Sequence, residues 1–134
     1  MVWDSKAPNG GFSTAKPWLP VPHEHLAMAV SAQTGDAKSI LEHYRRMLAF
    51  RRSHPALVAG AIRFIDAPED VLAFVRSGGS EEIACLFNLS HAAQRVEVGA
   101  ALTALDGTGF SAKPDADRRS VTLAPGQAFF GRLG

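Results

Sequence analysis

The apolar positions of this chain change their spacing twice along its length. Through residues 1–35 they have no period: Trp3, Phe12 and Trp18 stand among Pro8, Pro17, Pro20 and Pro22, with a tight-turn signal at Asn9-Gly10-Gly11. Proline fixes φ and removes an N–H, so this stretch is expected to be irregular. From residue 36 the spacing becomes helical. Ile40, Leu41, Tyr44, Met47, Leu48 and Arg51 share one face. Asp36 offers an N-cap for a helix beginning near Ala37, and His54-Pro55 closes it, because the residue before proline leaves the helical region. Glu42, Arg45, Arg46 and Arg52 fall largely on the solvated side, and cations near the helix end suit its dipole.

Beyond Gly60 the period shortens to two. Residues 61–66, 71–76, 82–89, 94–98, 102–105, 120–123 and 127–133 read as strands. Ala67-Pro68-Glu69-Asp70, Ser77-Gly78-Gly79-Ser80, Asp106-Gly107, Pro114 and Pro125-Gly126 punctuate them. Short strands joined by hairpin-like turns predict an antiparallel sandwich. The expected fold class is mainly β: a long loop (1–35), one amphipathic helix (36–57), then an antiparallel β-sandwich (58–134).

Composition narrows the function classes. The 134 residues are 46% hydrophobic and 20% charged, enough for a core and inconsistent with bulk disorder. Fourteen basic residues balance thirteen acidic ones, and Arg45-Arg46, Arg51-Arg52 and Arg118-Arg119 are isolated doublets, so no nucleic-acid partner is expected. No apolar run approaches the ~18 residues of a membrane span. The first residues lack the charged and apolar regions of a signal peptide, and a single cysteine excludes an internal disulfide, so the expected compartment is the cytoplasm.

Three runs carry a family resemblance. Met1-Val2-Trp3-Asp4, Gly11-Phe12 and Lys16-Pro17-Trp18-Leu19-Pro20 follow the order of the loop after the eighth barrel strand in α-glucosidases and oligo-1,6-glucosidases. Ser39 through Arg52, followed by Pro55-Ala56-Leu57, resembles the eighth barrel helix of the same enzymes, and Leu123 through Leu133 resembles the last strand of their small C-terminal domain. The chain thus resembles the C-terminal part of a member of glycoside hydrolase family thirteen, the α-amylase superfamily. The resemblance covers essentially all of the chain and is strongest before residue 60. The Arg-Thr-Pro that the family places before the position of Met1 is absent.

The resemblance implies that residues 1–35 are a rim loop of a (β/α)8 barrel, 36–57 its last helix and 58–134 the all-β domain that follows. It implies retaining hydrolysis of terminal α-glucosidic bonds in the intact enzyme; sucrose isomerases and trehalose synthases share the same motifs. Such chemistry needs a nucleophile and an acid/base carboxyl about 5–5.5 Å apart. The family draws its nucleophilic aspartate, its glutamic acid and a third aspartate in a His-Asp pair from barrel strands four, five and seven, all upstream of this sequence. No His-Asp pair occurs here, and the seven Asp and six Glu belong to no catalytic motif. The chain alone is therefore expected to be inactive, with no catalytic residue, metal or cofactor of its own, and carbohydrate as a partner only in the intact enzyme.

What the rim loop offers is Trp3, Asp4 and Trp18, whose indole faces could stack on sugar and whose carboxylate could accept hydroxyl hydrogen bonds. The alternative is that both Trp pin the loop by packing on the barrel, with Lys16 adding a hydrogen bond. His23-Glu24-His25 lacks a second ligand group at metal spacing and reads as solvated loop. Cys85 alternates with Ile83 and Phe87 in a strand and reads as core. Asn88-Leu89-Ser90 matches a glycosylation acceptor but is expected to serve a turn. A non-catalytic β-sandwich binding carbohydrate or protein is the second function class; it would need an aromatic platform from Phe64, Phe74, Phe87, Phe110, Phe129 or Phe130. Finally, about five large apolar side chains on the helix, each worth roughly 1.5–3 kcal/mol on burial, approach the whole stability of a domain. That face is expected to fold onto the chain's own sheet or to form a homodimer.

Overall fold

A computed structural model describes residues 2–134 as two compact units, one ending at Arg46 and the other running from Met47 to Gly134. The first unit is held by backbone hydrogen bonds and contains little regular structure. The Val30 and Ser31 N–H groups donate to the carbonyls of Val2 and Trp3, and the Gly10 carbonyl accepts from Trp3 and Asp4. Asn9 and Gly10 adopt left-handed φ of 53° and 64° to make that turn. A Cβ on Gly10 would stand 2.8 Å from Val2 Cγ1, so the close approach requires glycine. The expected irregular stretch is more structured than its pattern indicates: 3-10 turns form at Pro8–Gly11 and His23–Met28, and α1 (Val30–Gln33) adds one helical turn.

The main helix, α2 (Ile40–Ser53), starts three residues later than Asp36 and Ala37 predict. Ser39 is the residue that caps it, accepting the Glu42 N–H on Oγ at 3.2 Å. Asp36 instead accepts the Lys38 N–H at 2.9 Å in a local turn. Gln33 adds a clamp, donating to the Met28 carbonyl and accepting the Leu41 N–H. A second correction concerns the helix face. Ile40, Tyr44 and Leu48 are 79%, 64% and 38% exposed, whereas Phe50, off the predicted stripe, is buried. Spacing identifies an apolar face but not the surface that covers it. After the extended His54, the chain turns helical again as α3 (Pro55–Ala59), with Pro55 in the first turn, where a missing N–H costs nothing.

All seven predicted strands form, displaced at most by a few residues at their ends. They are β1 (Ala61–Phe64), β2 (Val71–Gly78), β3 (Glu81–Asn88), β4 (Gln94–Glu97), β5 (Leu102–Ala104), β6 (Ser120–Leu123) and β7 (Ala128–Leu133). They make an antiparallel five-stranded sheet in the order β1-β2-β3-β7-β5 and a two-stranded β4-β6 sheet. Ala84, Leu86 and Phe129 of the large sheet pack with Val96, Val121 and Leu123 of the small one. Ile83, Cys85, Ala128 and Phe130, on the opposite face, pack with Phe50, Ala56 and Leu57. Both faces of β3 are therefore covered, which is why Ile83-Ala84-Cys85-Leu86-Phe87 is apolar without alternation. The approach of α3 to β2 is close enough to require Gly60, where a Cβ would lie 2.6 Å from the Ser77 carbonyl oxygen of β2.

Two polar devices hold this arrangement. The Asn88 amide nitrogen donates to the carbonyls of Ala92, Leu123 and Ala124 at 2.7, 3.0 and 3.1 Å, and its oxygen accepts from the Ser90 N–H and hydroxyl. At 1% exposure and with its nitrogen fully used, Asn88 serves the turn and offers nothing to a glycosyl carrier. At the other end of β3, the Glu81 carboxylate stands 2.9 Å from both the His54 ring nitrogen and the Arg132 guanidinium, joining the end of α2 to β3 and β7. The His54 hydrogen bond, opposed by burial and assisted by Arg132, holds the Glu81 carboxyl below its ordinary 4.5.

Asn88→Ala strands the buried Leu123 carbonyl and unties those of Ala92 and Ala124, and is expected to cost about 2–3 kcal/mol in urea unfolding. Glu81 gives a pH signature. A carboxyl lowered in the folded state contributes fully above its unfolded value and loses that contribution as pH falls through the folded value. Glu81→Gln should therefore melt below the parent near neutral pH, with the difference closing as pH is lowered below about 4.5.

Candidate functional site

Trp3, Asp4 and Trp18 are presented to solvent. Trp18 is 95% exposed and Trp3 49%, so neither indole is packed away by the described residues. The pinning is done by main chain and by Asn9, whose amide donates to the carbonyls of Ser13 and Ala15 at 2.9 Å each. That amide supplies the loop-fixing hydrogen bonds expected of Lys16, which makes none among the described residues. Asp4 is exposed and accepts the Lys6 N–H at 2.8 Å, so one carboxylate oxygen is committed to a turn and the other is open.

Trp18 forms one wall of a groove of about 470 Å³ with Phe12, Lys16, Pro17, Pro20 and His25. Trp3 and Asp4 do not line it, so the structure does not gather the three predicted residues into one concavity. Phe12 and His25 are the members that sequence reasoning missed: Phe12 was read only as part of a Gly-Phe turn, and His25 only as a metal candidate. A neighbouring hollow of about 450 Å³ is mostly apolar, lined by Val2, Met28, Val30, Ile40, Leu41 and Tyr44 with His25 and Gln33. Neither concavity is lined by an Asp or a Glu.

The carboxylates that do lie close together are committed to structure. Asp115 and Asp117 both accept from the Ser120 hydroxyl at 2.9 Å, and Arg95 donates to both of them while also pairing with Glu97. Burial raises the Asp115 carboxyl, but hydrogen bonds from Ser120, Thr122 and Arg95 outweigh it and keep it low. The Arg119 N–H and Ser120 lower Asp117. A glycosidase acid needs the opposite, a carboxyl held protonated. Burial pushes the Cys85 thiol up to about 12, so it is an inert core residue and not a nucleophile. His23, Glu24 and His25 lie in a 3-10 turn, and among the described residues no three His, Cys, Asp or Glu side chains gather as a metal site. No helix among them is long and apolar enough to cross a membrane.

Comparison with known proteins divides the chain at the same place as its spacing. Residues 1–60 match the family model described as alpha amylase, catalytic domain, and residues 68–129 match that of the D-apionate lactonase C-terminal immunoglobulin-like domain. A catalytic-domain segment followed by a two-sheet β domain is the class of chain the fold defines. A probable alpha-glucosidase of Rhizobium meliloti is 46% identical over 99% of this chain, which spans 24% of that protein. Trehalose synthase/amylase TreS of Mycobacterium tuberculosis is 37% identical over 67% of the chain, spanning 17% of its length. Among solved structures, the alpha-glucosyl transfer enzyme XgtA superposes over all of the chain with a TM-score of 0.87 at 34% identity. Trehalulose synthase MutB of Pseudomonas mesoacidophila MX-45 does so over 99% with a TM-score of 0.80 at 28% identity. The chain belongs to the α-amylase superfamily, glycoside hydrolase family thirteen, and it spans about a quarter of the length of the Rhizobium meliloti protein and of XgtA.

Trp18→Ala removes an indole that touches little, so its stability is expected to stay within about 0.5 kcal/mol of the parent. With Trp3→Phe isolating the signal, Trp18 emission should be that of a water-exposed indole and should quench readily with acrylamide; a blue-shifted, protected emission would contradict the open groove.

Proposed function

We propose that this chain is the C-terminal scaffold of a retaining α-glucosidase, and that it contributes rim and support rather than the reacting carboxylates. In this reading residues 1–35 are a barrel rim loop, 36–57 the last barrel helix and 58–134 the accessory β domain. The observation that carries it is the 46% identity to a probable alpha-glucosidase, which runs through both units in the same order. In the intact enzyme Trp3, Asp4 and Trp18 would border the sugar-binding mouth, because barrel enzymes build their sites on loops after the strands. The exposed Trp18 indole and the free oxygen of Asp4 suit that role. The relatives named for glucosyl transfer and for isomerised sucrose products share the scaffold, so the common chemistry is cleavage of an α-glucosidic bond with water or a sugar as acceptor.

The lowered Asp115 and Asp117 and the absence of acids from the two N-terminal concavities support an inactive chain. The free, buried Cys85 suits a reducing cytoplasm. The binding-module reading rests on Phe64 alone among its candidate rings as exposed, since Phe129 and Phe130 are buried and Phe74, Phe87 and Phe110 half-buried. Incubation of the 134-residue chain with a chromogenic α-glucoside is expected to release chromophore at the rate of a buffer blank, with the Rhizobium meliloti relative as the comparison enzyme. Turnover above the blank by the chain itself would overturn the scaffold assignment.

A further inference from the structure

The turn at Asn9 and Gly10 selects both of its residues. Each sits in the left-handed region, and Gly10 is buried where a Cβ would stand 2.8 Å from Val2 Cγ1. Asparagine and glycine take this backbone at the least cost. The same pair is a chemical liability. Asn9-Gly10 is the one Asn-Gly step in the sequence, and glycine leaves its own nitrogen unshielded by a Cβ for attack on the asparagine side chain. In the closed loop both reacting groups are otherwise engaged. The Gly10 N–H donates to the Ala7 carbonyl at 3.1 Å. The Asn9 amide nitrogen donates to the Ser13 and Ala15 carbonyls at 2.9 Å each. One side-chain nitrogen thus closes the loop and is also the atom that such a reaction would expel.

We propose that Asn9 is a deamidation site gated by this loop, and that the modified loop cannot latch again. When residues 13–15 swing away, the Asn9 side chain is free to turn toward the Gly10 nitrogen. That nitrogen gives its proton to hydroxide and attacks Asn9 Cγ. The Cγ–Nδ2 bond breaks, and the side-chain nitrogen takes up a proton and leaves as ammonia. The succinimide so formed adds water at either ring carbonyl and opens to an aspartyl or an isoaspartyl residue. The net change is one water in and one ammonia out, with no oxidation or reduction. The product carries a carboxylate where the amide stood, so the Ser13 and Ala15 carbonyls lose their donor and meet acceptor oxygens instead. Asn9, Ser13 and Lys16 line the Trp18 groove, which thereby loses a fixed wall. Asn88 is the other asparagine of the chain; it is 1% exposed, its amide nitrogen is fully used and Leu89 follows it, so it stays intact in the folded chain.

The test ages the 134-residue chain at mildly alkaline pH in heavy-oxygen water, digests it, and weighs the peptide that holds Asn9 for the exchange of NH2 for labelled OH. Asn9 should convert at least about tenfold more slowly in the native chain than in the same chain unfolded in guanidinium chloride. Equal rates, or no conversion in the unfolded chain, overturn the gated site; so does conversion of native Asn88 as fast as Asn9. The product mimic Asn9→Asp supplies a second readout. Phe12 is exposed, and chymotrypsin should cut the Phe12–Ser13 bond at least about fivefold faster in Asn9→Asp than in the parent, because cutting follows the population of the open loop. Asn9→Gly, which keeps the left-handed backbone and removes the amide, should accelerate the same cut. Should Asn9→Asp fail to fold, Asn9→Gly decides: a cut as slow as the parent's overturns the latch.

Discussion

Burial of β3 and β7 on both faces is the constraint from which the rest of the second unit follows. A strand covered on one side only would alternate, and Glu81–Asn88 does not after its second residue. Its even positions meet the β4-β6 sheet and its odd positions meet Phe50, Ala56 and Leu57. Each large side chain so buried is worth roughly 1.5–3 kcal/mol, and the two clusters together hold the side chains that define the unit. The close contact of α3 with β2 then demands glycine at Gly60, and the Glu81–His54–Arg132 group fixes where the helix end meets the sheet. The end of the helix is thus part of the β domain's core, although the pattern of the sequence assigns it to a different element.

The chemistry of the chain follows from the same economy of polar groups. Every carboxylate whose ionisation is displaced is displaced downward, by an N–H, a hydroxyl or a cation. Groups of that kind cap helices, close turns and join strands; none is poised to give up or take a proton near neutral pH. The one nucleophilic atom type at risk, the Cys85 thiol, is suppressed by burial. A scaffold reading therefore agrees with the electrostatics as well as with the lineage.

The strands were legible because a half-buried strand next to a turn leaves a two-residue period and a Gly or Pro signal at each end. The helix was legible for the same reason, but its start was not, since Asp36 and Ser39 are both good caps and only the coordinates show which one receives the Glu42 N–H. Its exposed stripe was invisible to spacing, because Ile40 and Phe50 look alike in sequence while one is open and the other buried. In the N-terminal loop, Trp3, Asp4 and Trp18 stand out by their residue type. That Trp18 shares a groove with Phe12 and His25 and not with Trp3 depends on left-handed turns at Asn9 and Gly10, which no periodicity encodes.

The distribution of uncovered apolar side chains completes the argument. From Trp3 through Phe12, Trp18, Leu19, Met28, Ile40, Tyr44 and Leu48 to Val58 they accumulate in the segment that matches a catalytic domain, while the buried core lies almost wholly beyond it. The exceptions beyond residue 60 are Ile62, Phe64, Leu72 and Leu89. Ile62, Phe64 and Leu72 share one sheet face by register, and Leu89 lies just past the end of β3. Scattered apolar exposure is ordinary on any protein surface, but exposure confined to one segment and one sheet face is a surface made to be covered. Phe50, Ala56 and Leu57 are the part of that segment which the sheet does cover, so the second unit's core is completed by residues from the stretch that matches the catalytic-domain model.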